Sequence, residues 1–340
     1  MRLRIILVAT VLSLAGAILA QGPRRDAGGN LPAPATPAAP SKDAIKGKPL
    51  TIDVNLVSFD VIVADKNNTL IGGLKKGDFK VFDEGVEQTI TSFSSNDTPL
   101  TVVIMFEFSK FLVYYLDDVF PPIIGFVGSL QENDWGALVK VDRYTEILSD
   151  FTKNKNQLIG PLRDLRFATY DEVVLFDAVD ETLGRLEKID GKKALFIVAT
   201  GFDTLSKHTY TEVLKRAEAS DTMIYAVSMG QWMRLYTERN RNAMDNMAFL
   251  TADNYLRSLA EVTGGQAFYP RFQGEYSDIY DNISKQLRHQ YSIGFVPTNV
   301  KRDGKLHRLR VDVVDMDLNK DGKKDGLKAR HKKGYYAPKS

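Results

Sequence analysis

The chain has 340 residues, of which 44% are hydrophobic and 26% charged, enough for two domains with buried cores. Its 45 basic and 43 acidic residues nearly cancel, and fully so without Arg2 and Arg4, which excludes the basic footprint of a nucleic-acid binder. There is no cysteine, which excludes thiol chemistry, disulfides and a lipid attached through cysteine.

Arg2 and Arg4 precede an apolar run from Ile5 to Leu19, and the small Ala20 follows. This is the pattern of a secretory signal peptide over 1–20, and the run is short for a spanning helix, which needs about 20 apolar residues. It places the mature protein in the periplasm or outside the cell, with no transmembrane segment after cleavage. Residues 21–49 are dominated by Pro, Ala and Gly and read as a disordered or polyproline-like tether.

Residues 51–64 read as a strand whose alternation shifts phase between Leu56 and Val57, which predicts a bulge. Two short strands follow over 79–83 and 86–94, joined across Glu84-Gly85, and this N-terminal β segment ends near 96. From residue 100 to 290 strands alternate with helices. Strands are predicted over 102–107, 135–141, 145–149, 193–200, 222–229 and 266–269. Helices are predicted over 111–131, 154–166, 172–188, 208–219, 252–263 and 275–289, the first kinked or restarted at Pro121-Pro122. The pattern implies an α/β fold, a doubly wound, mostly parallel sheet covered on both faces. Residues 231–250 exceed what that pattern needs and read as an insertion over the sheet edge. Strand character returns over 291–297, 305–315 and 327–337, and this segment (291–338) is expected to pack with 51–96 as a flanking β-sandwich.

The apolar run VVIMFEFSKF (102–111) ends abruptly at Glu107, where a central strand should open onto the crevice of such a sheet. Together with DEVVLFDAV (171–179), KALFIVATGFDT (193–204), YAVSMG (225–230) and LAEVTGGQAFYP (259–270), it resembles a von Willebrand factor type A domain. The flanks, residues 57–93 with YSIGF (291–295) and KGYYA (333–337), resemble the acidobacterial group of secreted proteins built around that domain. The resemblance implies a doubly wound sheet used for protein recognition, usually through bound magnesium or a similar cation.

It also implies a ligand set: Asp-x-Ser-x-Ser after the first strand, a Thr before a later helix and an Asp after the fourth strand. Here those five positions are Glu107, Ser109, Phe111, Val173 and Thr200. Glu107 is longer than Asp by about 1.5 Å, and Phe111 and Val173 offer no oxygen to a cation that wants about six in near-octahedral array. The site therefore reads as degenerate, and no cofactor is expected there. Glu107 reads as a solvated strand-end residue, or as the partner of a base such as Lys110 or Arg143. Asp171 and Asp203 lie in the same loops and read either as another acidic site or as caps, and Asp177 as structural.

A second candidate is the turn holding Asp317, Asn319, Asp321, Gly322 and Asp325, at positions one, three, five, six and nine of a calcium loop. Position twelve is Lys328 rather than Glu, so the alternative is an acidic hairpin turn. The basic run Lys328, Arg330, His331, Lys332, Lys333 reads as the solvated side of the last strand, or as a contact for anionic polymer. The four histidines form no hydrolase signature. The sequence is thus read as a non-enzymatic, exported adhesion or recognition module for a protein partner. Phe111, Tyr114, Tyr115, Trp232 and Tyr236 are its candidate contacts. The alternatives are a structural component of the envelope and a hydrolase using Glu107 or a histidine.

Overall fold

The structure, a computed structural model, describes residues 56–95, 98–112, 116–230, 234, 243–272, 274–298, 303–314 and 326–338. The signal sequence, the tether, the 317–325 turn and Tyr114, Tyr115, Trp232 and Tyr236 lie outside these residues.

A six-stranded sheet forms the centre. Its strands are β5 (Leu100–Glu107), β6 (Trp135–Val141), β7 (Thr145–Thr152), β8 (Lys192–Ala199), β9 (Met223–Ser228) and β10 (Gln266–Phe268), in the order β10-β9-β8-β5-β6-β7. All pairs are parallel except β6 with β7. Every residue of β5 and of β8 is buried, as a strand covered on both faces requires. Side chains alternate between two cores. Val102, Ile104 and Phe106 pack with α1 (Leu116–Ser129) and the last helix, α6 (Glu275–Arg288). Val103 and Met105 pack with α3 (Leu175–Leu186), α4 (Tyr210–Ala219) and α5 (Ala243–Val262). A short α2 (Lys155–Ile159) follows β7. The doubly wound sheet expected from the sequence is present.

Eight further strands make two antiparallel sheets. One has the order β13-β1-β11-β4, from Lys328–His331, Val57–Ala64, Gln290–Phe295 and Ile90–Ser95. The other has the order β14-β12-β2-β3, from Gly334–Tyr336, Leu306–Val313, Phe79–Asp83 and Val86–Gln88. Phe59, Val61, Phe79, Val81, Tyr291, Ile293, Leu309 and Val311 fill the core between them. Both ends of the chain therefore build one β-sandwich beside the α/β body.

Several expectations need correction. The bulge expected between Leu56 and Val57 falls where β1 begins, and residues 51–55 lie outside the described residues; from Val57 to Ile62 the register with β11 is continuous, and an irregularity lies on β4, where the step from Ile90 to Ser92 faces Phe295 and Gly294. The predicted strands 86–94 and 327–337 each divide between the two sheets, because the chain turns a sandwich corner at Thr89 and at Lys332-Lys333. Helix α1 runs unbroken through Pro121 and Pro122, since Val119, Ile123, Phe126 and Val127 anchor it in the core. Residues 243–250, read as insertion, are the first turns of α5.

Candidate functional site

The order of the central sheet reverses between β5 and β8, and the crevice of a doubly wound sheet opens at the carboxyl ends of such a pair. Glu107 closes β5 there and Thr200 follows β8. Glu107 is only 3% exposed. Its Oε1 accepts from the Ser109 hydroxyl at 2.6 Å. Its Oε2 accepts from the Thr200 N–H at 2.8 Å and the Thr200 hydroxyl at 2.7 Å. Burial pushes the carboxyl pKa up, and the bonds from Ser109 and Thr200 offset this only in part.

Neither sequence reading of Glu107 holds. It is not solvated, and no base among the described residues pairs with it. Lys110 lies 3.2 Å from Asp171, and Arg143 lies 3.5 Å from Glu172. The added methylene lets the carboxylate span from β5 to the end of β8, where neutral donors meet both oxygens.

The other positions diverge. Ser109 and Thr200 are buried beside Glu107. Val173 is buried too, but its side chain belongs to the α3 core, and its N–H donates to the Thr204 hydroxyl at 2.8 Å. Phe111 turns outward and is 58% exposed. Asp203 caps α3 from another loop, accepting from the Phe176 N–H at 2.9 Å and the Ser206 hydroxyl at 2.5 Å. Asp177 accepts the backbone N–H groups of Lys207 and His208 and lies 2.7 Å from His208 Nδ1. Among the described residues, no group of three or more His, Asp or Glu side chains is placed to hold a metal ion.

Around Glu107 the loops join into one surface. The Lys110 N–H donates to the Tyr170 carbonyl at 3.0 Å, and Tyr144 meets the Tyr170 ring edge-on at 5.5 Å. Thr204 N–H donates to the Val173 carbonyl at 2.9 Å, which brings in Leu205. Phe111, Tyr144 and Leu205 are exposed in these loops, which also carry the Lys110–Asp171 and Arg143–Glu172 pairs.

Sequence reasoning missed two groups. Ser228, at the end of β9, donates to Asp253 at 2.5 Å, and Arg234 holds the other Asp253 oxygen at 2.8 Å. No spacing in the chain signals that contact. The second is the basic run. Arg330 and Lys332 are not on a solvated face; Lys332 is 6% exposed and its Nζ donates to the Ser220 carbonyl at 2.8 Å. Lys328 and Lys333 do remain exposed, but Arg330 and Lys332 face inward because β13, the edge strand of one sandwich sheet, packs on the α/β body.

No helix among the described residues is long and apolar enough to cross a membrane. No protein-family model matches the sequence, and no curated protein does. Partial likenesses to solved structures exist at low identity. A von Willebrand factor type A protein from Catenulispora acidiphila is 10% identical, with a TM-score of 0.45, over 84% of this chain and 74% of that one. The vWF domain of the type V pili tip protein Mfa5 from Porphyromonas gingivalis is 12% identical, with a TM-score of 0.44, over 56% and 95%. The PilB minor pilin from Streptococcus sanguinis is 8% identical, with a TM-score of 0.44, over 57% of this chain and 62% of that one, so this chain spans less than two thirds of it.

Proposed function

We propose that this protein is an exported, non-enzymatic recognition module that engages a protein partner directly through the loops around Glu107, without a cation. The observation that carries the reading is the closed state of Glu107. Both of its oxygens are committed to Ser109 and Thr200, while Val173 puts an apolar side chain, and Phe111 an outward-facing one, where a type A site would supply oxygens. These residues do not fit a hydrated divalent cation, which needs about six oxygens. The exposed Phe111, Tyr144 and Leu205 supply contact area in its place, and their neighbouring charges are already paired.

Calorimetry with Mg²⁺, Mn²⁺ and Ca²⁺ tests the first half. No heat attributable to Glu107 is expected; tight Mg²⁺ binding abolished by Glu107→Ala overturns the reading. A photo-crosslinking amino acid at position 111, compared with one at the exposed Lys80 of the sandwich, tests the second. A specific, chelator-insensitive adduct from position 111 in the envelope fraction supports the reading, and adducts equal at both positions reject it.

A further inference from the structure

The chain passes between the sandwich and the α/β body twice, from β4 to β5 and from α6 to β11. Strands β4 and β11 are neighbours at one side of their sheet, and Ser95 pairs with Tyr291, so both crossings lie at the same end. The opposite edge of that sheet is β13. In the row of the sheet that meets the α/β body, Arg330 pairs with Ile62 and Ile62 with Gln290. Ile62 is buried in the α/β core, and the Gln290 carbonyl accepts from Lys192 Nζ at 3.1 Å.

At the β13 edge polar contacts are most numerous. Arg330 donates to the Gly264 carbonyl at 3.1 Å, to Gln266 Oε1 at 2.6 Å and to Gln286 Oε1. Lys332 donates to the Ser220 carbonyl, and the Lys333 N–H to the Val262 carbonyl at 3.1 Å. The backbone at Gly264 lies so close to His331 that an added Cβ would sit 2.5 Å from its carbonyl carbon. These bonds reach the ends of α4 and α5, strand β10 and helix α6.

The acceptors on the two inward-pointing cations are neutral. The nearby carboxylates are otherwise engaged: Asp60 accepts from the Ser292 hydroxyl at 2.5 Å, Asp221 lies 2.7 Å from Lys193, Glu261 3.4 Å from Lys333, and Glu218 accepts from Tyr336 at 3.3 Å. A cation buried against neutral dipoles recovers less than its lost hydration. Opening this edge would return both to water.

We propose that the β13 edge is a releasable clasp and the two chain crossings its hinge, so that the sandwich swings off the α/β body under native conditions without either part unfolding. Ile62, set in the α/β core, and the Lys192–Gln290 bond keep the bodies together near the hinge, while the Arg330–Lys332 side opens. Hinges of this kind are a few residues at element ends.

The absence of native cysteine makes the test clean. A thiol introduced by Ser220→Cys reports opening of the clasp, and one introduced by Ala194→Cys, in β8, reports global unfolding. At constant pH the first is expected to react with a thiol reagent at least tenfold faster than the second. Lys332→Gln, which keeps a donor for the Ser220 carbonyl but removes the charge, is expected to slow the first reaction about tenfold and leave the second unchanged. Lys332→Met serves the same purpose should the glutamine variant fold poorly. Equal reaction rates for the two thiols overturn the proposal, as does faster reaction at position 220 in the neutral variants.

Discussion

Thr200 holds Glu107 twice, through its N–H at 2.8 Å and its hydroxyl at 2.7 Å, on a single carboxylate oxygen. The other oxygen takes Ser109. The site is satisfied by neutral donors, yet burial still raises the carboxyl pKa above its ordinary value. The folded state therefore binds this proton more tightly than the unfolded chain. Its contribution to stability is complete below the ordinary carboxylate range and is lost as pH rises through the folded pKa. Glu107→Gln, with its amide NH₂ toward Ser109 and its oxygen toward Thr200, is expected to stabilise the protein at pH 7 by about 1 kcal/mol and to flatten that pH dependence. Glu107→Ala leaves the donors of Ser109 and Thr200 buried without an acceptor and should cost about 2 kcal/mol. Urea denaturation at pH 4.5 and pH 7 measures both; an E107Q variant less stable than wild type at pH 7 contradicts the assignment.

Gly265 has no room for a side chain. A Cβ there would lie 1.8 Å from the Ile224 carbonyl oxygen, where the turn after α5 enters β10. Its neighbour Gly264 holds φ at +84°. Gly265→Ala must displace backbone in the central sheet and is expected to cost about 3 kcal/mol or more. A denaturation midpoint within error of wild type would show that the turn is not held as described.

Burial lowers the Lys332 pKa from 10.5 to about 8, and Asp221 restores only part of the loss. Asp221 is itself shared with Lys193. The unfolded chain keeps this proton to higher pH than the folded one, so stability rises with pH between those two values. The shift corresponds to roughly 3 kcal/mol at most. Wild type is expected to gain stability from pH 7.5 to pH 10 relative to Lys332→Gln. Parallel pH profiles for the two proteins would reject the assignment.

Phe111 and Tyr144 are 58% and 57% exposed, which places them outside the packing that holds the fold. Phe111→Ala and Tyr144→Ala should each change stability by less than about 1 kcal/mol. The same substitutions should weaken partner capture at position-specific cross-linking sites nearby. A large loss of stability from Phe111→Ala would make it a structural residue.

The location of the site was legible because β5 is apolar on both faces and stops at Glu107, a pattern that fixes strand, sheet type and crevice together. Its chemistry was not: the resemblance placed Ser109 and Thr200 with Glu107 as ligand positions, but that both turn their donors onto the Glu107 carboxylate depends on its burial at the β5–β8 pairing. The alternation of charge over 328–333 signals a solvated face only if nothing packs against it, and local sequence carries no mark of the body lying there. Likewise 327–337 reads as one strand, since a sandwich corner at Lys332-Lys333 needs neither Gly nor Pro. The type of each long element was readable from periodicity, whereas the sheet to which a short strand belongs depends on its partners.

Strand β1 lies between β11 and β13, so both of its neighbours come from the far end of the chain. The Ser292 hydroxyl donates to Asp60, 232 residues away in sequence. During synthesis β1 emerges long before either partner exists. The α/β body can close on local contacts first, while the sandwich waits for the last strands and bears the larger loop-closure cost. Through that interval Phe59, Val61 and Val63, which end up in the sandwich core, have no sheet to join. The same arrangement that unites the two ends of the chain makes its early strand the segment most exposed to aggregation, and most in need of a holding chaperone.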